Sequence, residues 1–419
     1  MKKGWPLPRL EFVLGWRNLW RNSRRTLLAI SAIAIGQFSL VWIDSFFNGY
    51  EALIKERMTG PTMGDLQIHH PTYRQDVAIE KVIPDWKKAE AELRTLSHLS
   101  NFLPRVYAPV LLSLKEEGHI GMVMGLNFAQ ENGRSGLLEG MPADRFPGAN
   151  EVVLGKGLAK DMGVKVGDKI AVMGQAADGS IANDLFLVKG IATLASDQAN
   201  QNGLLLNLAN AQEFLGLPNQ VHEIILHSDQ AISIEALQSV VKNREYFKNL
   251  DVLTWKELSP QLAELLNVFQ MSNFIVLILV FITTISGVAN TLLMSTYERM
   301  HEIGMLLALG CKPQRLNRIL IIESVFQGTL GGLVGSFAAV YLLSYQSRNG
   351  IDLSFLVSNE PKSISISFEG MKLNMFIFPK LQVSDLMQGF GAILFTSILA
   401  CWLPGRKIGR MEPMEAMRS

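Results

Sequence analysis

The chain has 419 residues, of which 48% are hydrophobic and only 18% charged, against about 25% charged in ordinary soluble domains. Its formal net charge of +1 leaves no broad basic surface for a nucleic acid. The two cysteines, Cys311 and Cys401, lie far apart in unrelated contexts and argue against a zinc site or a disulfide framework.

Residues 1–26 form a basic leader. Phe12, Trp16, Leu19 and Trp20 recur at helical spacing on one face, with Arg17, Arg21, Arg24 and Arg25 opposite. A basic amphipathic helix with tryptophans suits a membrane surface; a positive flank with no further role fits as well. Residues 27–47 are long and apolar enough to cross a bilayer, which takes about 20 residues. The long leader and the lack of a clean cleavage site mark this span as an anchor that stays.

Residues 48–271 are numerous enough for one or two globular subdomains. Within them, 151–174 predicts a strand, a short helix, a turn at Val166-Gly167-Asp168 and a second strand. Further strands are expected over 185–194 and from 203, the latter running into a helix by 217. Helices are expected over 85–99 and 232–250, which makes an α+β domain. Its sequence carries no HExxH, GxSxG, Walker A or CxxC pattern. Adjacent His69 and His70 would point to opposite faces of a strand, so a surface loop before Pro71 is the expectation rather than a metal site. Asp65, Asp76, Asp161 and Asp168 have no spacing that suggests an acid/base pair and read as solvated turn residues.

A helix over 255–270 leads straight into a second span, 272–296. Residues 297–318 are charged and precede a third span, 319–345. An external loop of about 40 residues, 346–385, separates it from a fourth, 386–404, before the tail 405–419. The leader, the 296–318 connection and the tail hold fifteen lysines and arginines against five acidic residues, a net +10, so the remainder sums to −9. By the positive-inside bias both termini and 297–318 are cytoplasmic, and 48–271 and 346–385 lie outside. The fold class expected is a helical membrane protein with four transmembrane helices and a large α+β extracytoplasmic domain between the first and second.

The 297–318 connection has two unlike faces. Met300, Leu306, Leu307 and Gly310 fall within about 60° of Ile303 at 100° per residue, whereas Glu298, His301, Glu302 and Met305 face away. Gly310 can supply a left-handed cap, and Pro313 prevents continuation. A loop that merely satisfies topology would need neither feature. Polar groups within spans are costly and draw attention by default. Asp44 is expected to snorkel to the outer surface. Glu323 is expected to pair with Arg299, Arg315 or Arg318 and pin the elbow. Ser286 and Asn290, four apart, could hydrogen-bond another helix. Gly328, Gly331, Gly332 and Gly335 give the third span a small face for close packing.

One span, a large external domain and three more spans resembles the layout of the permeases that include MacB, LolC, LolE and FtsX. Residues 15–28, GWRNLWRNSRRTLL, resemble the start of that family. Residues 299–324 are similar to its R-x-x-EIG-x-x-x-A-x-G signature through Arg299, Glu302, Ile303, Gly304, Ala308 and Gly310, with Glu323 at the usual acidic position. Residues 404–418, PGRKIGRMEPMEAMR, resemble its ending. The resemblance implies a non-catalytic permease subunit of an ABC transporter in the bacterial inner membrane. It binds no cofactor of its own; ATP and Mg sit on two copies of a cytoplasmic ATPase, and a second permease, the same chain or a paralogue, completes a dimer. Motion would pass by mechanotransmission from the ATPase through Arg299, Glu302, Ile303, Gly304, Leu307 and Gly310, with Glu323 and Arg315 supporting the elbow. A lipoprotein or other amphiphile would meet Phe38, Trp42, Phe46, Phe274 and Ile278, each of which, taken singly, better suits lipid contact or span packing. A periplasmic chaperone is a further partner the resemblance allows. The length of the 346–385 loop favours lipoprotein release over MacB-like efflux or FtsX-like control of cell-wall hydrolases.

Overall fold

The structure is a computed structural model that describes residues 7–21, 23–55, 60–114, 117–131, 137–138, 141–229, 231–298, 300–353, 366–368, 371–373, 376–402 and 405–406. In chain order, α1 (Leu7–Arg21) and α2 (Ser23–Ile54) precede β1 (Leu66–His69), α3 (Trp86–Arg94), β2 (Leu99–Leu114), β3 (Glu117–Leu126) and α4 (Phe128–Glu131). Then follow β4 (Glu151–Gly155), α5 (Lys156–Asp161), β5 (Lys169–Gln175), β6 (Ile181–Ala192), α6 (Asp197–Asn202), β7 (Gly203–Asn207) and α7 (Leu208–Phe214). The domain closes with β8 (Glu223–Ser228), α8 (Ile234–Lys242), β9 (Asp251–Thr254) and α9 (Trp255–Leu258). Beyond it lie α10 (Pro260–Glu298), α11 (Met300–Ala308), α12 (Pro313–Asn349), β10 (Ile351–Asp352), β11 (Ile366–Phe368), β12 (Met371–Leu373), β13 (Phe376–Ile377) and α13 (Val383–Ala400).

Four of these helices contain stretches long and apolar enough to cross a membrane: Thr26–Ile54, Pro260–Asn290, Pro313–Asn349 and Val383–Ala400. We call α2, α10, α12 and α13 spans one to four. Several helices outrun their apolar windows. Span one continues past residue 47, α10 runs unbroken from Pro260 into the second span, as expected of the helix that leads into it, and α12 starts at Pro313 rather than 319. A helix stops where caps or prolines stop it, not where hydropathy falls.

The chain divides into two compact units, one dominated by the spans and one by the external domain. The external unit is built on a nine-stranded mixed sheet in the order β3-β7-β4-β6-β5-β2-β8-β1-β9. The β3–β7 and β4–β6 pairs are parallel, and the remaining neighbours are antiparallel. β7, second in that order, has Leu204, Leu205 and Leu206 all fully buried, the continuous apolar run of a strand covered on both faces. One face packs Val106, Leu112, Phe186 and Leu226 against Trp86 and Leu93 of α3 and Leu237 and Val241 of α8. The other packs Leu126, Val153 and Leu205 against Phe128, Leu137 and Leu194. The predicted strand-helix-turn-strand over 151–174 is β4, α5 and β5, with Gly167 at φ +98° in the turn. The 346–385 loop is divided: the β11–β12 hairpin groups with the external unit, while β10 pairs with β13 in the membrane unit.

In the membrane unit the glycines of span three set its neighbours. A Cβ on Gly331 would fall 2.6 Å from Ile33 Cγ2, and one on Gly332 2.8 Å from the Phe390 ring. Gly335 meets Ala34 and Gln37, and Gly328 meets Ser397. One half of the small face therefore takes span one and the other half span four, as small residues permit in helix packing where lipid supplies no hydrophobic drive. Ser324 Oγ adds a buried hydrogen bond to the Ser397 carbonyl at 2.5 Å. Ser286 does not reach another helix: its Oγ donates to the Ile282 carbonyl of its own helix, and Asn290 is exposed. A hydroxyl four residues along satisfies itself locally first.

Candidate functional site: the α11 elbow

The hairpin of α11 and α12 is closed by a Schellman motif. Cys311 N donates to the Leu306 carbonyl and Gly310 N to the Leu307 carbonyl, both at 3.0 Å. Gly310 has φ +87°, a conformation nearly free for glycine and strained for other residues. Lys312 then caps α12, whose first residue is Pro313.

Elbow geometry decides which face of α11 is free. Ile303 packs with Leu316 and Leu320 of α12, joined by Leu307 and Cys311, and Gly304 is also buried. At 100° per residue this inward face centres about 50° round from Ile303 toward Gly304. Leu306, on the other side of Ile303, lies roughly 110° from that centre and is exposed. His301, Glu302, Met305 and Leu309 are exposed with it, Leu309 at 78%. Of the residues expected at an ATPase, Ile303 and Gly304 are buried inside the chain and Leu307 is half-buried, whereas Glu302 and Gly310 are exposed, Gly310 in the turn. Arg299 lies outside the described residues.

Glu302 has a partner that sequence reasoning missed. Arg21 Nη2, in the last turn of α1, donates to both of its carboxylate oxygens at 2.7 Å, and the two side chains are each about half exposed. At the other end of α1, the nearly buried Glu11 lies 3.5 Å from Arg315 Nε and 3.9 Å from Arg318 Nη1. Of the three arginines expected to pair with Glu323, Arg315 and Arg318 thus turn to Glu11, and Arg299 lies outside the described residues. Glu323 is itself 4% exposed within α12, and Arg315 turns to the leader instead. The leader is also more than a membrane-surface helix. Phe12 and Trp16 pack edge-on to Phe326, with centroids 6.1 and 5.4 Å apart. Gly15 seats on Ile322, and Leu19 is fully buried. A lone acid in a basic leader was the available signal for Glu11.

The residues expected to line a substrate cavity separate into two sets. Phe38 and Trp42 pack around Val41, Ala339, Leu343 and Leu386, and Trp42 Nε1 donates to Gln346 Oε1 at 2.8 Å. Phe46 stacks on Trp42 at 5.6 Å. Phe274 and Ile278 of span two are 63% and 41% exposed, on a surface they share with Met271, Ile275 and Ile282. Asp44 is not simply snorkelling; it accepts a hydrogen bond from Asn273 Nδ2 at 3.2 Å, tying spans one and two.

In the external domain His69 is not in a loop. It sits in β1, 3% exposed, with Nε2 2.8 Å from Gln67 Oε1 and its ring stacked on Tyr73. Burial and the nearby Arg74 lower its pKa to about 4. No group of three or more His, Cys, Asp or Glu placed to hold a metal occurs among the described residues.

These features define a helical membrane permease with an external α+β domain. The family described as MacB-like periplasmic core domain matches residues 26–244, and that described as FtsX-like permease C-terminal matches 274–413. The chain belongs to this MacB/FtsX-like family of ABC transporter permeases. It is 23% identical to the lipoprotein-releasing system transmembrane protein LolE of Haemophilus influenzae, over 97% of this chain and 99% of that one. It is 21% identical to LolC of Neisseria meningitidis serogroup B, over 98% and 99%. It is also 21% identical to the macrolide export ATP-binding/permease protein MacB of Salmonella typhi, over 96% of this chain but 60% of that protein.

Proposed function

We propose that the chain is the permease of a lipoprotein-releasing ABC transporter, taking acylated proteins from the outer leaflet of the inner membrane. The observation that carries this reading is the end-to-end match with LolE and LolC, which covers 99% of each of those proteins. The MacB match accounts for only 60% of a protein whose name includes an ATP-binding part, and this sequence has no Walker A loop. In this reading ATP and Mg belong to a separate cytoplasmic ATPase, in two copies, and a second permease completes the assembly. With the basic segments inside, both termini and α11 face that ATPase. Its docking surface on α11 is the exposed face of His301, Met305, Leu306 and Leu309. The acyl chains lie along the open face of span two, Phe274 and Ile278 included. Closure driven by ATP then moves the chains outward toward the external domain and a periplasmic chaperone.

Deleting the gene tests the reading in cells. Fractionation should then find lipoproteins retained in the inner membrane; normal delivery to their destination would remove lipoprotein release as the function.

A further inference from the structure

The backbone joins α11 to span two on one side and span three on the other. Span one has no such connection to it, yet span one is the helix that leads in sequence into β1 of the external domain. We propose that the Arg21–Glu302 ion pair supplies this link, making Arg21 a positioning residue that passes the movement of α11 to span one. The proposal rests on the permease reading above, in which α11 receives the ATPase stroke.

Contacts at four places make α1 fit the part. Glu11 holds its start to the first turns of α12 through Arg315 and Arg318. Its middle is seated on α12 by Gly15 against Ile322 and Trp16 against Phe326. Its end is tied to α11 by Arg21 Nη2 bridging both oxygens of Glu302. From there only residue 22 separates it from α2, and Thr26 Oγ1 donates to the Leu19 carbonyl at 2.7 Å across that joint. Glu11 and Arg21 are ten residues apart, about 15 Å along a helix. So α1 reaches from the root of span three to the first turn of α11 and continues into span one. A shift of α11 against α12 must either break the ion pair or carry the end of α1, and the root of span one, with it.

Exposed ion pairs add little to folding stability, so removing this one should leave a folded, inserted protein. That separates a positioning role from a structural one. A carboxylate on an exposed face could alternatively touch the ATPase itself, and the two roles for Glu302 respond differently to charge reversal. If Glu302 works through Arg21, exchanging the two charges restores function; if it works on the ATPase, the exchange restores nothing.

The test uses the full chain with the ATPase that co-purifies with it, in nanodiscs, carrying Cys311→Ser and Cys401→Ala. Spin labels at Ile35→Cys in span one and Phe337→Cys in span three report their separation with and without ATP. Wild type should show an ATP-dependent change in that distance. In Arg21→Glu and Glu302→Arg the shifted population should fall by at least about fivefold, the lower end of measured coupling effects, while in Arg21→Glu ATP hydrolysis stays within about twofold of wild type. The double exchange Arg21→Glu/Glu302→Arg should recover most of the shift. An unchanged distance response in Arg21→Glu would overturn the proposal. So would a double exchange no better than the single variants, or loss of the ATPase from Glu302→Arg that Arg21→Glu does not reverse. A wild-type complex whose span one moves with ATP but which releases no lipoprotein would instead discard the cargo assignment and leave the ion-pair linkage standing.

Discussion

Arg105 and Glu131 form a fully buried ion pair inside the external domain. Arg105 Nε donates to Glu131 Oε1 at 2.7 Å and Nη2 to Oε2 at 3.0 Å, with both side chains 1% exposed or less. The same Nη2 donates to the Pro61 carbonyl at 2.8 Å, on the stretch between α2 and β1. Tyr107 OH donates to Glu223 at 2.7 Å beside it. Burial by itself would push the Arg105 pKa down; the Glu131 charge more than offsets this and holds the guanidinium ionised. Breaking such a pair from one side strands a buried charge, which costs about 3–5 kcal/mol. Glu131→Ala should therefore lower the stability of the external domain by that amount, measured by denaturant unfolding in detergent. Arg105→Met/Glu131→Leu should cost clearly less than the single variant. A double variant as damaged as Glu131→Ala would show that the charges stabilise in their own right.

The small face of span three makes a second prediction. At Gly331 an added Cβ meets Ile33, whereas at Gly287 of span two it meets nothing within 4 Å. Gly331→Val should lower thermal stability in detergent by about 1–3 kcal/mol, the usual cost of overpacking. Gly287→Val should be close to neutral, and equal effects at both positions would contradict the packing described.

Gly310 makes a third. Its φ of +87° is unfavourable for any residue with a Cβ, by about 1–2 kcal/mol for the left-handed region. Gly310→Val should loosen the turn between α11 and α12 while insertion persists. Faster hydrogen exchange at Gly310 and Cys311, whose amides close the turn, is the expected readout. Unchanged protection there would mean the turn does not depend on glycine.

The external domain should also be acid-sensitive. His69, with its pKa lowered to about 4 by burial and by Arg74, stays neutral in the fold at neutral pH. The unfolded chain takes up its proton near pH 6.5, so the stability His69 contributes is present above that pH. It is lost as pH falls from about 6.5 to about 4, by up to roughly 3 kcal/mol. His222 and His227, lowered by burial, act in the same sense. Glu223, raised by burial, acts against them. Melting curves between pH 7.5 and 4.5 should fall steeply for wild type and less steeply for His69→Gln. Parallel slopes would contradict the assignment.

What could be read without coordinates follows from how local each signal is. The four spans announce themselves through long apolar runs, and the elbow through Gly310 and Pro313 three residues apart. The strand-helix-turn-strand at 151–174 shows through turn residues next to β-prone ones. The free face of α11 does not, because Leu306 and Leu307 are equally apolar and only the position of Leu316 and Leu320 on α12 separates them. The Arg21–Glu302 and Glu11–Arg315 contacts join residues roughly 300 positions apart, beyond any helical periodicity. Likewise the buried role of Arg105 depends on β2 meeting β8 and β3 at the middle of the sheet, an order that strand propensity does not encode.

In the function proposed above, this chain turns ATP hydrolysis by a partner into release of a lipoprotein. The direct measurement is made in proteoliposomes holding the chain, its co-purifying ATPase and a triacylated lipoprotein. The account predicts ATP-dependent appearance of the lipoprotein in the soluble fraction when a carrier for acyl chains is present outside. Hydrolysis at full rate with the lipoprotein still in the membrane would contradict it.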